Sequence, residues 1–444
     1  MTVQGSAQVR PARFLFAMFQ GGGNIPLILP IVAQLVERGH SVRVLAGPGV
    51  RANRLPVSPR FVEGIAAAGA AQIQFQAPET HPLDGAPPSR GVIRGWSPRM
   101  VESDVRRATV MRWAPVWAEN VAAELQRDPA DVVVADFELY GALAAAEAAG
   151  VPSAVLVHNV PWRPTSGTPP RGPGFLPAVG PAGWVRDLVG NLMIGRIWQR
   201  DALPIHNRVR AELELQPLRS PFEQFDRAGR VLVLTSQAFD FTSSSQAANV
   251  RYVGTPFDDA AAPADMWQPP EATDDAHPLV LVSLSTLAQG QAPVMHRVLA
   301  AVGSIPAHFV VTLGPSLDPA QFTAPPNVSL ETFVPHAAIL PHVSAVVTQC
   351  GLGTLMKALA HKAPVVCIPL VGDQPDNAAR VVARGAGVRL GVGASPEQIE
   401  EAIRQVLNQP SFREAARQLG AQIAARDGAW MAADELEALI QTRR

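Results

Sequence analysis

Short, wholly apolar runs followed by helical periods recur along the chain, and this alternation constrains the fold more than any other feature. Phe14–Phe19 is a continuous apolar run, the pattern of a strand buried on both faces. Gly21, Gly22 and Gly23 break it. From Pro26 to Arg38 the apolar positions Leu27, Ile31 and Leu35, with Leu29, Val32 and Val36, follow a helical period, and Gly39 is a natural stop. Ser41–Ala46 reads as the next strand. Such a unit sets its strands parallel and implies an α/β sheet. The pattern returns in Asp131–Ala135 (strand), Leu139–Ala149 (helix), Ser153–Val157 and Arg230–Leu234 (strands). A second series comprises strands at Leu279–Ser283, Phe309–Leu313, Val328–Phe333, Ala345–Thr348 and Val365–Ile368. Helices close the chain at Pro396–Leu407, Ser411–Arg426 and Trp430–Ile440.

A chain of 444 residues exceeds one ordinary core. Between the two series, Asp258–His277 is an aperiodic run of Ala, Pro and acidic residues and reads as a linker. The expected division is therefore 1–257, with a loose tail at 1–12, then linker 258–277, a second α/β domain at 278–422, and a terminal helical segment at 423–444. Two such halves imply a ligand cleft at the C-terminal ends of their strands. The formal net charge of -1 gives no broad attraction to nucleic acid or anionic membrane. No run of about 18 apolar residues is present, so no membrane span is expected. The two cysteines, Cys350 and Cys367, lack metal-ligand spacing, and with no disulfide framework the expected compartment is the cytoplasm. Pro161–Pro181 reads as a loop over the cleft, followed by an amphipathic stretch with Trp184, Leu188, Leu192 and Trp198.

Three turns at strand ends carry the chemistry. Gly21–Asn24 lacks the third glycine of a dinucleotide fingerprint, since position 26 is Pro, and no acid follows the second strand. No phosphate-binding G-x-x-x-x-G-K-[ST] loop occurs. Thr348-Gln349-Cys350-Gly351-Leu352-Gly353-Thr354 lies between a strand and a helix expected at Leu355–His361. Its backbone N–H groups and the helix dipole make a phosphate seat, although an ordinary Gly-rich turn would look the same. Gly372–Asn377 places Asp373 and Gln374 at another strand end, where they can meet sugar hydroxyls. A capping role for Asp373 is the simpler alternative. Ser285 and Thr286 follow a third strand at the same edge.

At these residues the chain resembles the family 1 glycosyltransferases. The resemblance is strongest from Phe333-Val334-Pro335-His336 through QCGLGTLMKALAHKAPVVCIPLVGDQPDNAARV, Gln349–Val381, and extends to Arg38-Gly39-His40 and Val253–Pro256. It implies the GT-B fold: two Rossmann-like domains facing across a cleft, the first for an acceptor, the second for a UDP- or dTDP-sugar, with the last helix returning to the first domain. By position, Phe333 and Val334 would meet the nucleobase. Ser285, Thr286, Gly351, Gly353 and Thr354 would hold the diphosphate, and Asp373 and Gln374 the sugar. No metal or other cofactor is implied.

Three departures bear on mechanism. Gln349 stands where relatives commonly carry a diphosphate-touching His. Lys357 stands where many UDP-sugar users carry a ribose-binding Glu, and a Lys cannot accept those bonds, which favours dTDP unless the Lys reaches a phosphate. Asn24 occupies the place of the usual catalytic His, and an amide is no general base. The partner carboxylate matches Asp136 in VVVADFELYG. The candidate bases are thus Asp136, directly or through a water held by Asn24, and His158, with a loop His of no catalytic role as the alternative for the latter. A sufficiently acidic acceptor would need little base. Trp162, in the Pro/Gly loop, is the tryptophan best placed for a cleft. The expected activity is inverting transfer of a sugar to a hydroxyl of an apolar small molecule. Other chemistry on the same fold, or binding without catalysis, remains open because of Asn24 and Gln349.

Overall fold

Each half of the chain forms one sheet, and every strand pairing in both is parallel. The structure, a computed structural model, describes residues 10–19, 24–47, 59–77, 112–161, 163–241, 243, 246–258, 267–270, 277–284 and 290–441. The first sheet holds β1 (Arg13–Phe19), β2 (Ser41–Gly47), β3 (Ala71–Gln74), β4 (Val132–Asp136), β5 (Ser153–Val157), β6 (Arg230–Val233) and β7 (Val250–Tyr252), in the order β3-β2-β1-β4-β5-β6-β7. The second holds β8 (Leu279–Ser283), β9 (His308–Thr312), β10 (Val328–Glu331), β11 (Ala345–Thr348), β12 (Val365–Cys367) and β13 (Gly387–Arg389), in the order β10-β9-β8-β11-β12-β13.

Both orders are those of doubly wound Rossmann-like sheets. The strand order reverses between β1 and β4 in one and between β8 and β11 in the other, and a crevice opens at each reversal. Helices cover both faces, which is why the central strands are apolar throughout. In β1, Leu15, Ala17 and Phe19 enter one core cluster and Phe14, Phe16 and Met18 enter the other. The final helix, Gly428–Gln441, packs on the first sheet rather than the second: Ala432, Ala433, Leu436 and Leu439 join the core of Phe14, Phe16 and Ile28. Arg38 bonds Asp434 at 2.6 Å and Glu437 at 3.1 Å, anchoring that return.

Some local expectations need correction. Residue 12 is no loose tail: Ala12 is buried, and its carbonyl accepts from Ser41 N at 2.9 Å. The helix after β11 spans Leu352–Ala360, so it starts directly after Gly351 rather than at Leu355. β10 ends at Glu331, leaving Phe333 beyond it. In the helix Gly180–Asp201, Trp198 is buried as an amphipathic reading implies, but Trp184, Leu188 and Leu192 are exposed. Among the described residues no helix is long and apolar enough to cross a membrane.

Candidate active site

The crevice of the first sheet centres on Asp136, the last residue of β4 and fully buried. β4 lies between β1 and β5, so the turns after both neighbours reach its carboxylate. On one side the register Asp136↔Leu156 carries β5 just past that point, and His158 follows the strand. His158 Nδ1 stands 2.8 Å from Asp136 Oδ2, an ion-pair contact poorly aligned for a hydrogen bond. On the other side Asn24 Nδ2 donates to Phe19 O at 3.0 Å and reaches Asp136 Oδ2 at 3.5 Å. Asn24 precedes the helix Ile25–Glu37 yet makes no capping bond; its side chain is turned to the carboxylate instead. Glu138 N donates to Asp136 Oδ1 at 3.1 Å. Phe137 meets the His158 ring edge-on, with centroids 5.1 Å apart.

Burial is the largest influence on His158 and lowers its pKa. The charge of Asp136 and its contact with the ring, helped by Glu138 and Asp373, outweigh burial and hold the pKa above the usual imidazole value. Asp136, Asn24 and His158, far apart in sequence, are thus one cluster, and its imidazole is a stronger base than a free one.

The second crevice faces the first. Gly351 precedes the helix Leu352–Ala360, whose opening turn includes Gly353 and Thr354. A side chain built at Gly353 would meet nothing within 4 Å among the described residues, which leave the helix start open. Gln349 is buried, and its Oε1 accepts from Thr348 Oγ1 at 3.0 Å. Its Nε2 lies toward Gly351, 3.2 Å from where a Cβ would stand there. Gln349 therefore turns a donor, the group a phosphate oxygen accepts from, toward the helix start. Cys350 between them takes φ 68°, a left-handed conformation uncommon for a residue with a side chain.

Asp373 stands at the start of the helix Gln374–Ala383 but does not cap it. Its Oδ2 accepts from Asn377 Nδ2 at 2.9 Å. With its amide nitrogen turned toward the cleft, Asn159 donates to the same oxygen at 3.0 Å and to His158 O at 3.2 Å. The residue beside the imidazole therefore touches the carboxylate on the opposite domain. Gln374 is buried, and its Oε1 accepts from Leu370 N at 2.8 Å and Val371 N at 2.9 Å. Its amide oxygen is thus taken up by its own turn, so the acceptor facing a ligand here is Asp373.

Phe333 is 58% exposed and offers a ring face, whereas Val334 is 3% exposed and belongs to the core, so any ligand contact from it runs through its backbone. His336 is pushed down to about 4, chiefly by burial and then by Lys357, and is neutral near pH 7. Lys357 Nζ reaches Asp258 O at 3.5 Å. Ser285, Thr286, Trp162 and Gly21–Gly23 lie outside the described residues. Among the described residues no group of three or more His, Cys, Asp or Glu could hold a metal ion. Asn159 and Asn377 were missed from sequence, where an amide after a strand or inside a helix carries no signal of its own.

Two doubly wound sheets, with their reversal crevices facing across one cleft, define the GT-B fold. The erythromycin biosynthesis protein CIII-like C-terminal domain family matches residues 296–439. The chain is 30% identical over 437 residues to 4'-demethylrebeccamycin synthase of Lentzea aerocolonigenes, covering 97% of this chain and 100% of the relative. It is 25% identical over 444 residues to the oleandomycin glycosyltransferase of Streptomyces antibioticus, covering 99% and 93%. Among solved structures the calicheamicin glycosyltransferase CalG4 superposes with a TM-score of 0.72 at 22% identity, covering 97% and 99%, which bears on the fold. The chain belongs to the bacterial family 1 glycosyltransferases of antibiotic biosynthesis, as the Gln349–Val381 motif implied. It is a glycosyltransferase. Neither other chemistry on this fold nor binding without catalysis is favoured.

Proposed function

We propose that this glycosyltransferase moves a sugar, with inversion, from a UDP- or dTDP-sugar to a hydroxyl of an apolar small-molecule natural product, with His158 as the general base. The observation that carries the choice of base is the 2.8 Å approach of His158 to the buried Asp136. With Nδ1 committed to the carboxylate, Nε2 takes the acceptor's proton. The acceptor oxygen then bonds to the anomeric carbon as the bond from that carbon to the diphosphate breaks. Asp136 stabilises the imidazolium that forms and fixes the ring's tautomer. Negative charge builds on the departing nucleoside diphosphate, and the open helix start at Gly351–Thr354, with Gln349 beside it, supplies donors and a positive dipole end. Asp373 accepts from sugar hydroxyls and Gln374 donates. One base with one displacement gives inversion.

Relatives named for rebeccamycin and oleandomycin support a natural-product acceptor. Lys357, in place of a ribose-gripping acid, supports dTDP over UDP.

The test is a thermal-shift screen with UDP, dTDP and their sugars, followed by mass spectrometry of an acceptor panel with wild type and His158→Ala. A nucleotide should stabilise both proteins, and only the wild type should transfer at an appreciable rate. No stabilisation by any nucleotide would sink the donor reading, and unimpaired transfer by His158→Ala would remove it as the base.

A further inference from the structure

The helix that begins at Gln374 does more than present its first residues to the cleft. Within its first two turns, the side chains of Asp376 and Arg380 reach out of its own domain to the other. Asp376 is buried. Its Oδ2 accepts from Gly172 N at 2.7 Å, and its Oδ1 accepts from Gly172 N and Gly174 N, each at 3.0 Å. Gly172 and Gly174 both have positive φ, 108° and 68°, so the loop's N–H groups converge into a nest of the kind that holds anions. The anion held here is a carboxylate from the opposite domain, with Arg171 Nε 3.9 Å away. Arg389 donates to Gly174 O from the same side.

A second carboxylate runs the other way. Asp240 follows β6 in the first domain and is 1% exposed. It accepts from Arg380 Nε at 2.7 Å and from Tyr252 Oη at 2.5 Å, and its carbonyl accepts from Arg384 at 2.5 Å. The Arg380 guanidinium lies 4.4 Å over the Phe241 ring. Each domain thus buries a carboxylate in the donors of the other, and a cavity of about 290 Å³ opens beside the two contacts. Its wall starts at Val160, two residues past His158, and continues through Arg171, Phe175, Phe241 and Tyr252 to Arg380.

We propose that Asp376 and Asp240 form a two-way clasp, and that both are positioning residues: Asp376 seats the 163–175 loop, and the cavity wall it builds, against the turn that carries Asp373 and Gln374, while Asp240 ties the helix of that turn to the segment after β6. Seating the loop and placing the sugar-side turn are then one event. The clasp explains why a Pro/Gly-rich loop holds a defined place across a cleft. It also explains Gly174, where a Cβ would stand 2.3 Å from Pro375 O and wedge the domains apart. The kinetic part of this inference rests on the transfer reading above, and the structural part does not.

The experiment compares Asp376→Ala, Gly174→Ala and the double variant as full chains. Hydrogen exchange at the Gly172 and Gly174 amides should accelerate by at least about tenfold in Asp376→Ala, because their acceptor is gone. Acceptor kcat/KM should fall by about 10- to 100-fold in each single variant, since small misplacements across a reacting pair cost that much. The dissociation constant for UDP or dTDP should stay within about twofold, because the Gly351–Thr354 seat is untouched, and a general loss of structure would not produce that split. The double variant should be no worse than the poorer single one, as both break one contact. Unchanged exchange at Gly172 and Gly174 would overturn the clasp. Faster exchange with unchanged acceptor kinetics, or additive losses in the double variant, would overturn the positioning role. If the wild type transfers no sugar at all, the transfer reading fails and the clasp stands or falls on exchange alone.

Discussion

Replacing Asp136 by Asn removes one charge and almost no volume. Two donors, Glu138 N at 3.1 Å and Asn24 at 3.5 Å, and the His158 ring, at 2.8 Å, converge on this carboxylate. An amide offers one acceptor oxygen, so the ring's tautomer is no longer fixed. The larger loss comes when the imidazole takes the acceptor's proton. At 2.8 Å, with an effective dielectric near 20, the attraction between imidazolium and carboxylate is about 6 kcal/mol before desolvation is set against it. General-base catalysis is worth about 10²- to 10⁴-fold, or about 3–5 kcal/mol, and the loss in kcat/KM should fall in that range. The pH dependence makes the test sharper. The transfer needs a neutral His158, and in the wild type Asp136 holds its pKa above the usual 6.5, so kcat/KM rises with pH through that raised value. In Asp136→Asn the main opposition to burial is gone and only Glu138 and Asp373 still raise the pKa, so the acid limb moves to lower pH while the plateau drops. The ratio of wild-type to variant activity should therefore grow with pH. The assay is initial-rate transfer from pH 5 to 9, with nucleotide affinity as the control. A plateau within about threefold of wild type, or an acid limb that moves upward, would refute the dyad.

Gly353→Ala separates a diphosphate seat from an ordinary turn. The space there is open and the position is helical, so the variant should fold at least as stably, gaining up to about 1 kcal/mol from helix propensity, while UDP or dTDP affinity falls by about tenfold or more in titration calorimetry. Unchanged affinity would move the diphosphate elsewhere. His206 is buried against Tyr140, with ring centroids 3.8 Å apart, and burial, then Arg210, pushes its pKa down to about 3. A depressed folded value gives stability that is complete above pH 6.5 and is lost as pH falls toward 3. His206→Phe should therefore remove a slope of about 1.4 kcal/mol per pH unit from urea denaturation between pH 6 and 4, and an unaltered slope would show that His206 does not titrate there.

The fold was legible because the central strands are apolar on both faces. β1, β4, β5, β8 and β11 announce themselves as runs, and helix covering on both sides is the reason. β3, β7 and β13 were not legible. β3 reads Ala-Gln-Ile-Gln at a sheet edge, mostly exposed, and an edge strand with little to bury leaves no apolar run. The helix start after β11 was misplaced by three residues because glycines at 351 and 353 look like turn. Gly351 precedes the helix, but Gly353 lies inside it, where the absence of a side chain leaves the backbone open. On the second sheet, the sequence pointed to the turns at Gln349–Thr354 and Asp373–Gln374, and the structure places each of them at the start of a helix. Asn159, Asp240 and Asp376 escaped because each acts through a partner in a distant segment, and no local pattern encodes that.

The proposed base was hard to read for a topological reason. Because the strand order runs β1-β4-β5, the carboxylate at the end of β4 has two flanking turns, and a side chain from either can reach it. Sequence comparison looks for the imidazole on the β1 side, where this chain has Asn24. The structure has it on the β5 side, with the amide retained on the first as a further donor to the carboxylate. Under the proposed mechanism, moving the imidazole across the carboxylate moves the point where the acceptor oxygen must approach. That point shifts toward β5 and the segment that follows it, which runs from His158 through Asn159, in contact with Asp373, to the loop held by Asp376. The cavity beginning at Val160 lies on the same side. A base at position 158 thus needs its neighbouring loop held still, because the same stretch of backbone would position the proton acceptor and wall the space beside it.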